Sequence, residues 1–172
     1  MRAIEEDLHP VAGPMMLCAL FTGMRRGEMF RLKWSDLDFN RGFITLSDTK
    51  GGTDQTIPMN DMARRLFEAM SRESEYVFPG RGGGQRTSIG DQVQRIKRAA
   101  DLPEDFRPLH GLRHVYASML ASSGQVDMYT LQKLLTHKSA AMTARYAHLR
   151  DDALQRASAV IGDLFKGMIK SS

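Results

Sequence analysis

In segment after segment of this chain, apolar residues recur every three or four positions, the spacing of one face of a helix, and only a short region breaks that rhythm. The exception lies between Phe43 and Met59. There, Phe43 to Leu46 and Gln55 to Met59 read as strands on either side of the turn-forming Asp48-Thr49-Lys50-Gly51-Gly52. Pro58 lacks the amide hydrogen an inner ladder needs, so the second run belongs at an edge. Tyr76-Val77-Phe78, before Pro79, is a candidate third strand. Elsewhere the pattern predicts helices. One starts between Pro10 and Pro14 and runs to Phe21, before Thr22-Gly23, and another spans Arg26 to Lys33. Asn60 caps a helix in which Met62, Leu66, Phe67 and Met70 recur at helical spacing. Thr87 or Ser88 caps one with Ile89, Val93 and Ile96 inward and Arg95, Lys97 and Arg98 off that stripe. Further helices are expected at Leu109 to Ser122, Val126 to Thr136, Ser139 to His148 and Asp152 to Met168. The expected fold class is α+β: mainly α, with a small antiparallel β-sheet near the start.

At 172 residues the chain suits a single domain, 1–172, with a substantial core. Its longest apolar run, Met15 to Phe21, is far too short to span a bilayer. Met1 to Asp7 holds three acidic residues and no signal-peptide core. The single cysteine, Cys18, sits inside the apolar run and reads as a small buried hydrophobe. A cytoplasmic, reducing compartment is the default. A formal charge of +4 permits a polyanionic partner without requiring one. The glycines around Arg81 read as a surface loop, because no lysine follows to complete a phosphate cradle.

Certain positions acquire meaning as a set. Singly, Arg25 after a glycine turn reads as a surface group and Lys50 as a solubilising turn residue. His110 and Arg113 read as the polar edge of a helix, His137 as a cap, and Tyr146 as amphipathic packing. Together they include the groups that phosphoryl transfer needs. Tyrosine, with an ordinary pKa of about 10, is a usable nucleophile where cations stabilise its phenolate. Arginine offers a planar donor fork matched to phosphate. Lysine can protonate a leaving oxygen, and histidine exchanges protons near neutrality.

The ordered series Thr22-Gly-Met-Arg25-Arg-Gly-Glu28, Lys50 in a hairpin, His110-Gly-Leu-Arg113-His114, then His137 and Tyr146 nine residues later resembles the tyrosine recombinase family, which includes the phage integrases. Leu32-Lys-Trp34-Ser-Asp36, Leu134-Leu135-Thr136-His137-Lys138 and Ala144-Arg145-Tyr146 agree, so the likeness runs from about residue 10 to residue 150. The resemblance implies that Tyr146 forms a 3′-phosphotyrosyl link while Arg25 and Arg113 clamp the non-bridging oxygens. His137 would add a phosphate hydrogen bond, Lys50 would protonate the departing 5′-hydroxyl, and His110 would assist proton transfer at Tyr146. Glu28, one turn beyond Arg25, would orient that arginine. No metal and no cofactor is expected, since the covalent link conserves the energy of the phosphodiester. One position departs from the pattern: the family usually has glycine where this chain has Thr136, a costly exchange if the backbone there has a positive φ.

The expected partners are double-stranded DNA and other protomers of the same chain, with no membrane. Gln92, Arg95 and Arg98 are candidate DNA contacts on their helix. The tail helix, 152–168, carries Leu154, Ala157, Ile161, Leu164 and Met168 on one face and is a candidate for exchange between protomers. The upstream DNA-clasping domain usual in the family is expected to be absent. Three other readings compete. His110 and His114, four apart, have the spacing of two metal ligands, as in a hydrolase, but no glutamate lies between them and no carboxylate is placed as a third ligand. The others are a non-catalytic DNA-binding domain that keeps the fold and a type IB topoisomerase-like strand transferase.

Overall fold

In the computed structural model, which describes residues 2–7, 9–47, 53–155 and 159, a short helix α1 (Arg2–Glu5) precedes α2 (Ala12–Thr22). Ala12, Met15, Met16, Cys18 and Ala19 of α2 are all buried, so this helix is apolar on more than one side, as an interior helix must be. Pro14 lies in its first turn, where no intrahelical donor is lost. His9, which sequence patterning did not single out, starts the helix. Its Nδ1 accepts the amides of Val11 and Ala12 at 3.1 and 3.0 Å, two donors that the helix itself leaves unsatisfied. The Cys18 thiol is fully buried against Thr22 and Met24, and burial pushes its pKa up to about 12, so it behaves as the buried hydrophobe its setting suggested.

Helix α3 (Arg26–Arg31) leads into the sheet, which runs β1 (Leu37–Asp38), β2 (Phe43–Leu46) and β3 (Gln55–Pro58) in that spatial order, antiparallel throughout. Ile44 pairs with Leu37 on one side and Ile57 on the other, and all three are buried, which fixes the register. Pro58 lies opposite Phe43 on the edge strand, where the missing amide costs no ladder bond. Tyr76 makes only an isolated bridge to Lys33, so the expected third strand at 76–78 does not form; Val77 and Phe78 are instead core residues.

Helix α4 (Asp61–Glu68) is capped by Asn60, whose side-chain oxygen accepts from Ala63 N at 2.9 Å. The other end of the same amide donates to the Phe21 carbonyl at 2.7 Å, tying α4 to the end of α2. Ala63 and Phe67 face the core, and Met62, one of the apolar residues at helical spacing, is 51% exposed. In α5 (Gly90–Ala99), Ile89, Val93 and Ile96 are buried as expected, although Ile89 and not Thr87 or Ser88 occupies the capping position. Lys97 also departs from expectation: it is buried, and its ammonium donates to the Glu104 carbonyl, which explains how a cation leaves the solvated face. Helix α6 (Pro108–Ser122) follows, then α7 (Met128–Leu134), capped by Asp127, and α8 (Ala140–Ala144). The helix expected to reach His148 stops at Ala144 and resumes over 147–155. The mainly helical fold with one small antiparallel sheet is therefore as expected. Two compact units are distinguished, Met1–Tyr116 and Ala117–Ser172, with the boundary inside α6. Among the described residues no helix is long and apolar enough to cross a membrane.

The His9 cap makes the fold sensitive to pH. Burial, with Arg86 next, holds its imidazole below the ordinary histidine value. The unfolded chain therefore binds the proton more readily, so the contribution is full above about pH 6.5 and is lost as pH falls through the lower folded value. The melting temperature should drop between about pH 7 and pH 5, and His9→Asn, which keeps an acceptor that does not titrate, should flatten that drop. An unchanged slope in the Asn variant would show that other groups set it.

Candidate active site

The first unit concentrates its candidates around the turn between α2 and α3. Gly23 ends α2 in the left-handed region, at φ +68°, with its amide on the Ala19 carbonyl at 3.0 Å. The Thr22 hydroxyl donates to Cys18 O at 2.6 Å and accepts from Met24 N at 3.2 Å, so the chain beyond the helix end is satisfied by the helix itself. Arg25 follows in extended conformation as the cap of α3. One carboxylate oxygen of Glu28 accepts its backbone amide at 2.6 Å, and the other accepts its guanidinium at 2.8 Å. Glu28 thus grips Arg25 at both ends, while the Arg25 side chain keeps 35% of its surface exposed.

Arg113, from α6, reaches the same turn. It is buried, and its guanidinium donates to the carbonyl of Gly23, 90 residues away in sequence. One turn before it, His110 faces His114: their Nε2 atoms are 2.8 Å apart and their rings meet edge to face. One ring must donate and the other accept, so this contact holds only while at least one of the pair is neutral. Gly111 is required by close approach, since a Cβ there would come within 2.3 Å of the Phe106 ring. Phe106 therefore packs closely against the first turn of α6, beside the residues that present His110 and Arg113.

In the second unit the candidates share one short stretch. Helix α7 ends in a Schellman arrangement: Thr136 N donates to Lys133 O at 2.9 Å and His137 N to Gln132 O at 3.0 Å. The residue this geometry forces into the left-handed region is Thr136, at φ +50°. A β-branched residue is strained there, so the anticipated cost of departing from glycine is present in the backbone. His137 is held further by Gln132 Nε2, which donates to its carbonyl at 3.3 Å, and by the Thr143 hydroxyl, 2.7 Å from its Nδ1. Thr143 is buried in α8, and its carbonyl accepts the amide of Tyr146 at 3.0 Å. Tyr146, also buried, occupies the turn between α8 and the helix at 147–155.

Lys50 lies outside the described residues, on the connection between β2 and β3, as does most of the expected tail helix. On α5, Arg98 is exposed and Gln92 partly buried, whereas the Nε and Nη2 edge of the Arg95 guanidinium donates to the two Asp7 carboxylate oxygens at 2.8 and 2.9 Å. That contact holds the Asp7 carboxyl below its ordinary range. Sequence reasoning did not single out Thr143, because a threonine inside a helix carries no signal of a tertiary partner. The proximity of Arg113 to Gly23 was equally invisible.

The sequence profile of the phage integrase family matches residues 4–153. The tyrosine recombinase XerC of Xanthomonas campestris pv. campestris (strain B100) is 38% identical over 136 residues, which cover 74% of this chain and 41% of the relative. The fold resembles the catalytic domain of bacteriophage HP1 integrase, with a TM-score of 0.68 at 25% identity over 92% of this chain and 86% of that one. It also resembles XerH recombinase bound to palindromic difH substrate in a post-cleavage complex, with a TM-score of 0.73 at 22% identity over 94% of this chain and 50% of that one. The chain belongs to the phage integrase family, the tyrosine recombinases. It spans about two-fifths of the XerC relative's length.

The strain at Thr136 is open to a direct test. Thr136→Ala removes the side chain but keeps a Cβ at positive φ, whereas Thr136→Gly relieves the backbone as well. The glycine variant should be the more stable of the two by about 1 kcal/mol in denaturant unfolding. Equal stabilities would mean that the left-handed geometry costs this chain nothing.

Proposed function

We propose that this chain is the catalytic domain of a site-specific DNA recombinase, which cuts and rejoins DNA through a 3′-phosphotyrosyl bond at Tyr146. The observation that carries the reading is the local gathering of its parts. Arg25 and Arg113 converge on the Gly23 turn, while His137 and Tyr146 are both bonded to Thr143. In this reading the Tyr146 oxygen bonds to phosphorus as the bond from phosphorus to the 5′-oxygen breaks. The tyrosine proton passes toward His110, and Lys50 supplies a proton to the departing 5′-oxygen. Arg25, held by Glu28, and Arg113 stabilise the phosphoryl oxygens, and His137 donates a further hydrogen bond. Attack by the freed 5′-hydroxyl then reverses the step, so neither metal nor nucleotide cofactor is consumed.

The substrate is double-stranded DNA, with other copies of the chain completing strand exchange and 152–168 as the segment that passes between them. The bound substrate of XerH, a protein of the same fold, supports DNA as the partner class. Arg98 and Gln92 are the readiest groove contacts on α5. Arg95 joins them by exchanging Asp7 for a phosphate.

The test is incubation with a pool of nicked duplexes of randomised sequence, in EDTA, followed by denaturing electrophoresis. The wild-type protein should give covalent protein–DNA adducts and Tyr146→Phe none, with its fold retained; adducts from the Phe variant, or free ends that require added metal, overturn the mechanism. Arg25→Lys keeps the charge and loses the fork, so adduct formation should slow about a hundredfold while the melting temperature changes little. Unfolding of that variant would make Arg25 a structural residue.

A further inference from the structure

Thr143 touches both residues of the second unit to which the proposed chemistry is assigned. Its hydroxyl lies 2.7 Å from His137 Nδ1, and its carbonyl receives the Tyr146 amide at 3.0 Å. It has almost no exposed surface, so neither bond is traded against water. We propose that Thr143 is a positioning residue that sets the ring of His137 relative to the Tyr146 backbone, an inference that rests on the recombinase reading above.

The chemistry decides which way the bond runs. A neutral imidazole carries one proton, and the nitrogen that accepts from a hydroxyl is the one without it. If His137 is to donate to a phosphoryl oxygen while neutral, the proton belongs on Nε2. The Thr143 hydroxyl must then donate to Nδ1, fixing both the tautomer and the ring plane. The main chain of His137 is already held at each end, its amide by Gln132 O and its carbonyl by Gln132 Nε2. The torsions of the side chain are what those bonds leave open, and the Thr143 hydroxyl closes them. Because Thr143 also receives the Tyr146 amide, any shift of α8 moves the histidine ring and the tyrosine together. A serine at 143 keeps this arrangement, and a valine keeps the shape but loses the hydroxyl.

The test uses Thr143→Val, Thr143→Ser, His137→Ala and the Thr143→Val/His137→Ala double variant. All are assayed for adduct formation on the nicked-duplex pool, for DNA affinity, and for unfolding in denaturant. Thr143→Val should slow adduct formation about tenfold with affinity unchanged, and Thr143→Ser should restore most of the rate. On the His137→Ala background, Thr143→Val should slow the reaction no further, because its effect acts through the histidine. Additive rates, or a serine variant as slow as valine, would overturn the proposal even where unfolding shows the two residues to be coupled; that combination makes the bond structural only. If Thr143→Val fails to fold, the serine variant and the His137→Ala rate still decide, since a positioning role requires serine to keep most of the wild-type rate and His137→Ala to be slow. Wild-type protein that forms no Tyr146-dependent adduct overturns the recombinase reading itself, and this inference with it.

Discussion

The buried contact between Arg113 and the Gly23 carbonyl is the constraint around which the first unit is organised. A guanidinium removed from water is costly unless its donors find oxygen, and the Gly23 carbonyl, just past the end of α2, supplies one. Helix α2 has no basic residue in its own last turn, and the cation at the turn beyond it arrives from α6, far along the chain. The consequence is positional. The turn that receives Arg113 is also the turn from which Arg25 departs, so a single helix stop brings the first motif of the sequence to the second. Gly111 serves the same end from the other side, by admitting the Phe106 ring against the turn of α6 that precedes Arg113.

A second helix end repeats the device with a different residue. Both α2 and α7 close on a residue in the left-handed region, Gly23 and Thr136, and in each case a candidate phosphate contact stands one or two positions beyond. A left-handed residue turns the chain sharply while leaving the following amides within reach of the last helical carbonyls. The next side chains are thus held at the tip of a rigid element and not on a loose loop. Glycine does this without cost at Gly23. Threonine at 136 does it under strain, held by two backbone bonds and by burial of its own side chain.

How much of this could be read in the sequence follows from the range of the forces involved. Helix periodicity is local, so α2, α4, α5 and α6 were legible, as were the Asn60 cap and both strands of the hairpin. The two-residue strand β1 is too short to show a period, and the 76–78 segment is apolar because it is core, which composition alone cannot distinguish from a strand. Lys97 looked solvated because its partner, the Glu104 carbonyl, is a backbone atom in a loop. Helix α8 stops at Ala144 with no glycine or proline to announce it. In the candidate site, the residues to consider could be named from the sequence because the chemistry restricts them to few types. The contacts that hold them were not, since a threonine, a glycine carbonyl or a phenylalanine ring is specific only once the fold has brought it near.

The face of α5 shows the same limit in the electrostatics. Counting charges along the helix offers three basic residues to a polyanion, yet Lys97 is buried and Arg95 already holds a carboxylate. The Asp7 pair survives at any pH above the ordinary carboxylate range, because its proton affinity is lowered and the folded state keeps the charged form. The arginine end of the pair is open to solvent, which screens its hold on the carboxylate, while the Asp7 side chain itself is largely covered. Phosphate offers Arg95 the same bidentate geometry that Asp7 provides. On the proposed function, then, the pair does not close α5 to DNA; it holds the Arg95 fork extended and oriented until a second anion takes the place of the first.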